Sequence, residues 1–286
     1  MGSTRYSAEG ATCRGLSPAI WQAYGFTGGD FGDPSRKGFF FDDFAEGTAW
    51  ASEDSAKYSV FMDATATIVA DPTVDLLEGE FGVIRFTTDA TRHDQLSIQM
   101  GGGVGNVVKI DDATGENGVV AFECRVKSAT ITTGDLRLFF GLAEAGCSAD
   151  DMMMTDAADT FGNYDHLGFW VKETDGASLQ RTFHKTGGEE DTQDTGDDLV
   201  VDTWIKLGLV YDPNAPDAEK IRFYIDGSEC TNFGDVRCDA DDLADDTDFP
   251  SGEEMAPIIV MKCGAGAGAA DYLHVDWWAV GQGFTG

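Results

Sequence analysis

The chain reads as a succession of short segments in which every second residue is apolar, bounded by Gly, Asp and Thr. A period of two marks half-buried strands. In residues 118–127 (GVVAFECRVK), Val120, Phe122, Cys124 and Val126 share one face, and Glu123, Arg125 and Lys127 share the other. DLRLFFGLA repeats the pattern with Leu136, Leu138, Phe140 and Leu142, and TWIKLGLVYD with Ile205, Leu207, Leu209 and Tyr211. In KIRFYIDG, Ile221, Phe223 and Ile225 alternate with Arg222 and Tyr224, and Asp226-Gly227 supplies a hairpin turn. Further strands are predicted at 39–44, 57–62, 81–87, 95–100, 166–173, 179–185, 256–263 and 272–280. A dozen one-sided strands bury their apolar faces most simply as two antiparallel sheets packed together. One short helix is expected around SADDMMMTDAAD (148–159), with Ser148 as its cap. The acidic stretches 186–198 and 235–254 read as solvated loops.

Charge divides the chain. Residues 1–40 hold four bases and three acids, whereas the remainder holds 15 bases and 48 acids, within a formal net charge of −32. The sequence therefore predicts an arm, residues 1–38, attached to one acidic domain, residues 39–286. Such a balance excludes a general nucleic-acid binder, which needs a basic surface. No apolar run approaches a membrane span, and the first twenty residues lack the apolar core of a secretory signal. The arm's aromatic residues need a surface to cover them, either their own domain or a partner. Arg5, Arg14, Trp21, Tyr24, Phe26 and Phe31 are the candidate docking residues.

Candidate chemistry is sparse. An EF-hand read from Asp239 fails at Leu243, Ala244 and Pro250, which leaves only a looser oxygen cage for a weakly held Ca2+. No other cofactor is expected: GAGAGAA (264–270) precedes a strand rather than a helix, and no GK[ST] occurs. Cys230 and Cys238 are close enough to close a small loop, although a cytosolic setting would keep them reduced. His93, His166, His184 and His274 show no spacing for a triad or metal site. The nearest approach to an ExDxE strand is Glu173-Thr174-Asp175, which stops at Gly176. No catalytic residue is assigned, and the chain is expected not to be an enzyme. Trp170, Tyr224 and Trp278 are the candidates for stacking on a glycan, and adjacent Trp277 and Trp278 must face opposite sides.

With these strands laid out, FFFDDF, GVVAFECRVK, LRLFFGLAE, WIKLGLVYD, KIRFYIDG and YLHVDWWAV resemble the concanavalin A-like (LamG-type) jelly roll over about 240 residues. Within that group the chain is most similar to jelly-roll proteins encoded by tailed phages. This resemblance implies a non-enzymatic virion or capsid-decoration protein, assembled in the host cytoplasm and docked through its arm on a major capsid protein or neighbouring subunit. The alternatives are a lectin-like module for surface polysaccharide and, third, a glycoside-active enzyme.

Overall fold

The computed structural model describes residues 15–24, 26, 37–44, 53–54, 57–63, 67–70, 82–88, 91–101, 107–110, 117–129, 131, 136–149, 153–157, 159–216, 219–231, 248–266 and 271–284. In chain order these form a helical turn α1 (Pro18–Trp21), then β1 (Lys37–Asp42), β2 (Glu53–Asp54), β3 (Tyr58–Met62), β4 (Thr67–Ala70), β5 (Ile84–Thr87) and β6 (Gln95–Met100). There follow β7 (Val108–Lys109), β8 (Asn117–Ser128), β9 (Leu136–Ala143), β10 (His166–Val171), β11 (Ser178–His184) and β12 (Asp191–Asp198). The last are β13 (Ile205–Tyr211), β14 (Ile221–Ile225), β15 (Ser228–Glu229), β16 (Glu254–Cys263) and β17 (Tyr272–Phe284).

Two antiparallel sheets result. The eight-stranded sheet runs β15-β14-β13-β8-β17-β5-β4, with β1 beside the second half of β17. The nine-stranded sheet runs β12-β11-β10-β9-β16-β6-β3-β2, with β7 on β16. The apolar positions read from the sequence form the core between them, including Phe122 and Cys124 of β8, Leu138 and Phe140 of β9, and Leu207 and Leu209 of β13. The fold is an all-β jelly-roll sandwich.

Two local expectations are corrected. Asp191–Asp198, read as loop, is the edge strand β12. Its acids suit that place, because charge on an edge discourages further pairing. The expected helix at 148–159 does not form in the described part of that stretch. Met154 instead makes an isolated bridge to Phe161, and Ser148 Oγ bonds Ser59 Oγ at 2.8 Å rather than capping a turn.

A bulge decides the orientation of the tryptophans. Between Val275 and Trp277 the β17–β8 register shifts by one residue, so the inward parity moves from Leu273 and Val275 to Trp278 and Val280. The extra residue, Asp276, accepts a 2.6 Å bond from Arg125 Nη1. Trp278 therefore fills the core, against Phe44 and Tyr58, and Trp277 lies on the opposite side of the sheet.

That opposite side is covered by the arm. Leu16, Ile20, Trp21 and Phe26 pack with Trp277, Val210 and Tyr224. Sheet glycines make room: a Cβ at Gly208 would stand 2.4 Å from Ile20, and one at Gly281 would stand 2.8 Å from Phe26. The docking role expected of Trp21, Tyr24 and Phe26 is corrected accordingly. Trp21 and Phe26 are buried against their own domain, and Tyr24 accepts a bond from Arg222 beside them. Arg5, Arg14 and Phe31 lie outside the described residues, as do Cys13 and Cys238. Cys230 is a free, buried thiol.

Candidate functional site

The outward face of the nine-stranded sheet concentrates the chemistry. Strand alternation turns Gln95, Ser97 and Gln99 of β6, Arg137 and Phe139 of β9, and Ile258, Val260 and Lys262 of β16 away from the core. His166 and Trp170 of β10 and Gln180, Thr182 and His184 of β11 complete it. Gly141 and Gly168 stand opposite each other on β9 and β10. A Cβ on either would meet the neighbouring backbone at 2.3–2.4 Å, and the Phe139 ring lies over both.

The connection from β9 to β10, described at 144–149, 153–157 and 159–165, crosses this face as a strap. Its apolar anchors Cys147, Met153, Met154 and Phe161 pack on Phe139, Trp170, Ile258 and Val260. Phe161 and Trp170 have ring centroids 4.2 Å apart. The polar side chains beneath bond mainly to strap backbone. Gln99 Nε2 donates to Glu144 O (2.6 Å), Gln95 Nε2 to Ala149 O (3.1 Å) and Ser97 Oγ to Ser148 O. Arg137 Nη1 donates to Thr155 O (2.7 Å) and Ala157 O (2.9 Å), and Lys262 Nζ to Met154 O (3.1 Å).

Arg137 and Lys262 are cross-strand partners, both wholly buried. Like charges placed so repel and need counter-charge. Glu173 Oε2 lies 3.4 Å from Arg137 Nε, and Asp156 Oδ1 lies 2.9 Å from Lys262 Nζ. The Asp156 side chain is 59% exposed, so the strap carries its carboxylate at the mouth of a buried cationic floor. His93 Nδ1 sits 3.0 Å from Arg137 Nη2. A guanidinium only donates, so Nδ1 accepts and the ring is neutral. Burial foremost holds its pKa below the ordinary value, and its 3.8 Å approach to Asp156 is not an ion pair.

At the other end, His166 and His184 are register partners with stacked rings 5.5 Å apart. Both place Nδ1 on Tyr164 O, at 3.1 and 2.9 Å. A carbonyl only accepts, so Nδ1 carries the proton, and His166 Nε2 accepts from Thr182 Oγ1 at 3.2 Å. Burial pushes the His166 pKa down to about 3, which keeps this ring neutral.

The strap begins and ends on a carboxyl pair. Glu144 N donates to Asp165 O at 3.0 Å, and Asp165 N lies 3.5 Å from Glu144 Oε2. Burial first, then Asp165, raises the Glu144 pKa to about 7. Thr186 N donates to Asp165 Oδ1 at 2.7 Å. Two adjacent carboxylates repel, which favours a proton on Glu144. Sequence reasoning missed it: the two acids are 21 positions apart and meet only because β9 and β10 are neighbours.

A polar row crosses the sheet at the rim. Trp170, Gln180 and Asp194 are successive register partners on β10, β11 and β12. Ser178 Oγ donates to Asp194 Oδ1 at 3.1 Å and accepts from Gln180 Nε2 at 3.2 Å. Lys172 Nζ lies 4.9 Å from the centre of the Trp170 ring.

The three aromatic residues expected to face a glycan are all buried. Trp278 is core, Tyr224 lies with the arm and Trp170 is under the strap. None offers an open ring in this structure. Glu173, the start of the failed ExDxE match, is the counter-ion of Arg137. Among the described residues no group of three or more His, Cys, Asp or Glu is placed to hold a metal ion. The looser calcium cage considered at 239–250 falls mostly outside them.

No family model and no curated protein matches the chain. Solved structures do. A pseudo β-1,3-glucanase and immunostimulatory antigen of Mycobacterium tuberculosis matches with a TM-score of 0.53 at 14% identity, over 86% of this chain and 98% of that one. The endo-β-1,3-glucanase of Pyrococcus furiosus matches at 0.53 and 11%, over 86% and 94%. The endo-1,3-β-glucanase of Streptomyces sioyaensis matches at 0.52 and 14%, over 87% and 98%. None of these three is a virion protein, so they lend the decoration role no support. They also overturn the expectation of a non-enzyme so far as it rested on the fold, because this sandwich is shared by endo-β-1,3-glucanases as well as by a pseudo-glucanase. At such identities the likeness concerns architecture, and the chain has the concanavalin A-like jelly-roll fold of these glucanases.

Proposed function

We propose that the protein is a polysaccharide-directed jelly roll whose ligand is a neutral β-glucan, engaged along the outward face of its nine-stranded sheet. The observation that carries the reading is the row Trp170–Gln180–Asp194, an indole, an amide and a carboxylate side by side across three strands, with the carboxylate exposed at the rim and the indole beneath Phe161. Aromatic rings cover the apolar face of a sugar, and amide and carboxylate groups bond its hydroxyls. The fold shared with β-1,3-glucanases over nearly the whole chain supports it. A net charge of −32 favours a neutral ligand, since acidic polysaccharide is repelled. The test is retention in native gels containing laminarin, alginate or no polysaccharide. Retardation by laminarin alone, weakened by Asp194→Ala and Gln180→Ala, is expected. Equal mobility in all three gels refutes the proposal.

A second reading, glycoside hydrolysis, is favoured by the Glu144–Asp165 pair. A carboxyl whose pKa is raised to about 7 is what a general acid requires, and a second carboxyl lies beside it. It predicts reducing ends released from laminarin by the native chain and lost in Glu144→Gln, with gel retention unchanged. Release that survives this substitution removes the pair from the chemistry.

A further inference from the structure

We infer that the strap between β9 and β10 is a displaceable cover, and that glucan binds by taking its place on the sheet. The inference rests on the ligand reading above and concerns the regulation of that same face.

The composition of the face is that of a surface meant to be wet. Gln95, Ser97, Gln99, Arg137 and Lys262 alternate outward from their strands and are nevertheless buried. Most of their bonds run to strap carbonyls, those of Glu144, Ser148, Ala149, Met154, Thr155 and Ala157. A main-chain carbonyl is a generic acceptor. A chain of sugar hydroxyls satisfies the same donors, so the exchange leaves none of them stranded.

The fit under the strap is also incomplete. Trp170 is 1% exposed, yet its Nε1 has no hydrogen-bond partner, and neither has Gln95 Oε1. A buried donor or acceptor left unmet costs free energy that a ligand can recover. A hydroxylated ligand supplies both an acceptor for the indole and a donor for the amide. Over the same indole the strap lays the ring of Phe161, at 4.2 Å, where a sugar ring would stack.

The strap is held at separable points. Asp156 latches onto Lys262, Phe161 sits on Trp170, and Ser148 Oγ meets Ser59 Oγ of β3 at 2.8 Å. Its described part contains no strand, only turns and the single Met154–Phe161 bridge. A ligand competing with a tethered cover sees its affinity reduced by the closed fraction.

The experiment opens the cover in one variant and staples it in another. Phe161→Ala combined with Asp156→Asn weakens two holding points. Ser59→Cys with Ser148→Cys replaces the hydroxyl pair by a disulfide, reversible with dithiothreitol, and Ser148→Cys alone controls for pairing with Cys147. Two quantities are read: hydrogen exchange of strap amides without ligand, and laminarin retention. Faster strap exchange and about tenfold or greater tightening of laminarin binding are expected in the opened variant, if the native cover is open a tenth of the time or less. The oxidised staple slows exchange and loses retention, and reduction restores both. If the native chain binds laminarin and neither opening nor stapling changes retention, the cover is refuted while the ligand reading stands. If strap exchange responds as expected but no form binds laminarin, the ligand reading falls, and the displacement inference with it.

Discussion

Trp21 Nε1 of the arm donates a 2.7 Å hydrogen bond to Glu123 Oε2, a carboxylate buried in the outer face of β8. The same carboxylate takes Ser17 N at 2.9 Å and Ser17 Oγ at 2.5 Å. Lys206 Nζ closes the group through Ser17 Oγ, at 2.9 Å, and Gly15 O, at 3.1 Å. Burial still raises the Glu123 pKa, so desolvation outweighs these bonds. Ser17 occupies the cap position of α1 and its carbonyl accepts from Ile20 N and Trp21 N, but its hydroxyl serves Glu123 rather than the helix.

Removing this carboxylate leaves several buried donors unmet. Glu123→Ala should cost about 3 kcal/mol, from a penalty of about 1–3 kcal/mol for each stranded group and some relaxation. Urea unfolding measures the loss, and limited proteolysis should cut near residues 15–26 in the variant before the sandwich. An unchanged midpoint with an intact arm contradicts the docking described.

The glycine clearances make a sharper test. Gly208→Ala places a methyl 2.4 Å from Ile20 Cδ1 and should destabilise by about 1–3 kcal/mol, as overpacking does. Ile20→Val removes that Cδ1 and should recover part of the loss in the double variant. A double-mutant cycle showing strict additivity would contradict the contact.

Trp278→Ala tests the bulge. An inward Trp278 predicts a core cavity and a loss of about 3–5 kcal/mol, with laminarin retention preserved in the fraction that stays folded. A stable variant that loses retention would mean that the ring faces outward.

The carboxyl pair makes stability depend on pH. Glu144 has its folded pKa raised from 4.5 to about 7, so between those values the folded state binds more protons than the unfolded one. Its contribution is complete below about pH 4.5 and is lost as pH rises through about 7. Asp165, Glu253 and the Cys147 thiol share the neighbourhood, and Lys185 Nζ lies 3.9 Å from Glu253. Discounted for the partial exposure of Glu144, the expected fall in Tm across this window is roughly 2–4 °C, the response of a chain this size to about 1 kcal/mol. Glu144→Gln should flatten it. A variant with the same pH slope as the native chain assigns the effect to another group.

Much of this molecule was legible in its sequence, because side-chain alternation is a local property of a strand. GVVAFECRVK, LRLFFGLA and IKLGLVY pointed to their strands, their inward residues and two stacked sheets without any knowledge of partners. The edge strand at 191–198 was hidden because its eight residues, DTQDTGDD, carry no apolar side chain. The arm's aromatics announced that something must cover them, but not what. Long-range contacts settled the remainder. A one-residue bulge at Asp276, stabilised by Arg125 from another strand, chose which tryptophan entered the core. The meeting of Glu144 with Asp165, of Arg137 with Lys262, and of Phe161 with Trp170 required β9, β10 and β16 to lie side by side with a strap across them. Local periodicity states which way a side chain points. Only the register between distant strands and the path of the loops state what it touches, since those depend on closure of the whole sandwich.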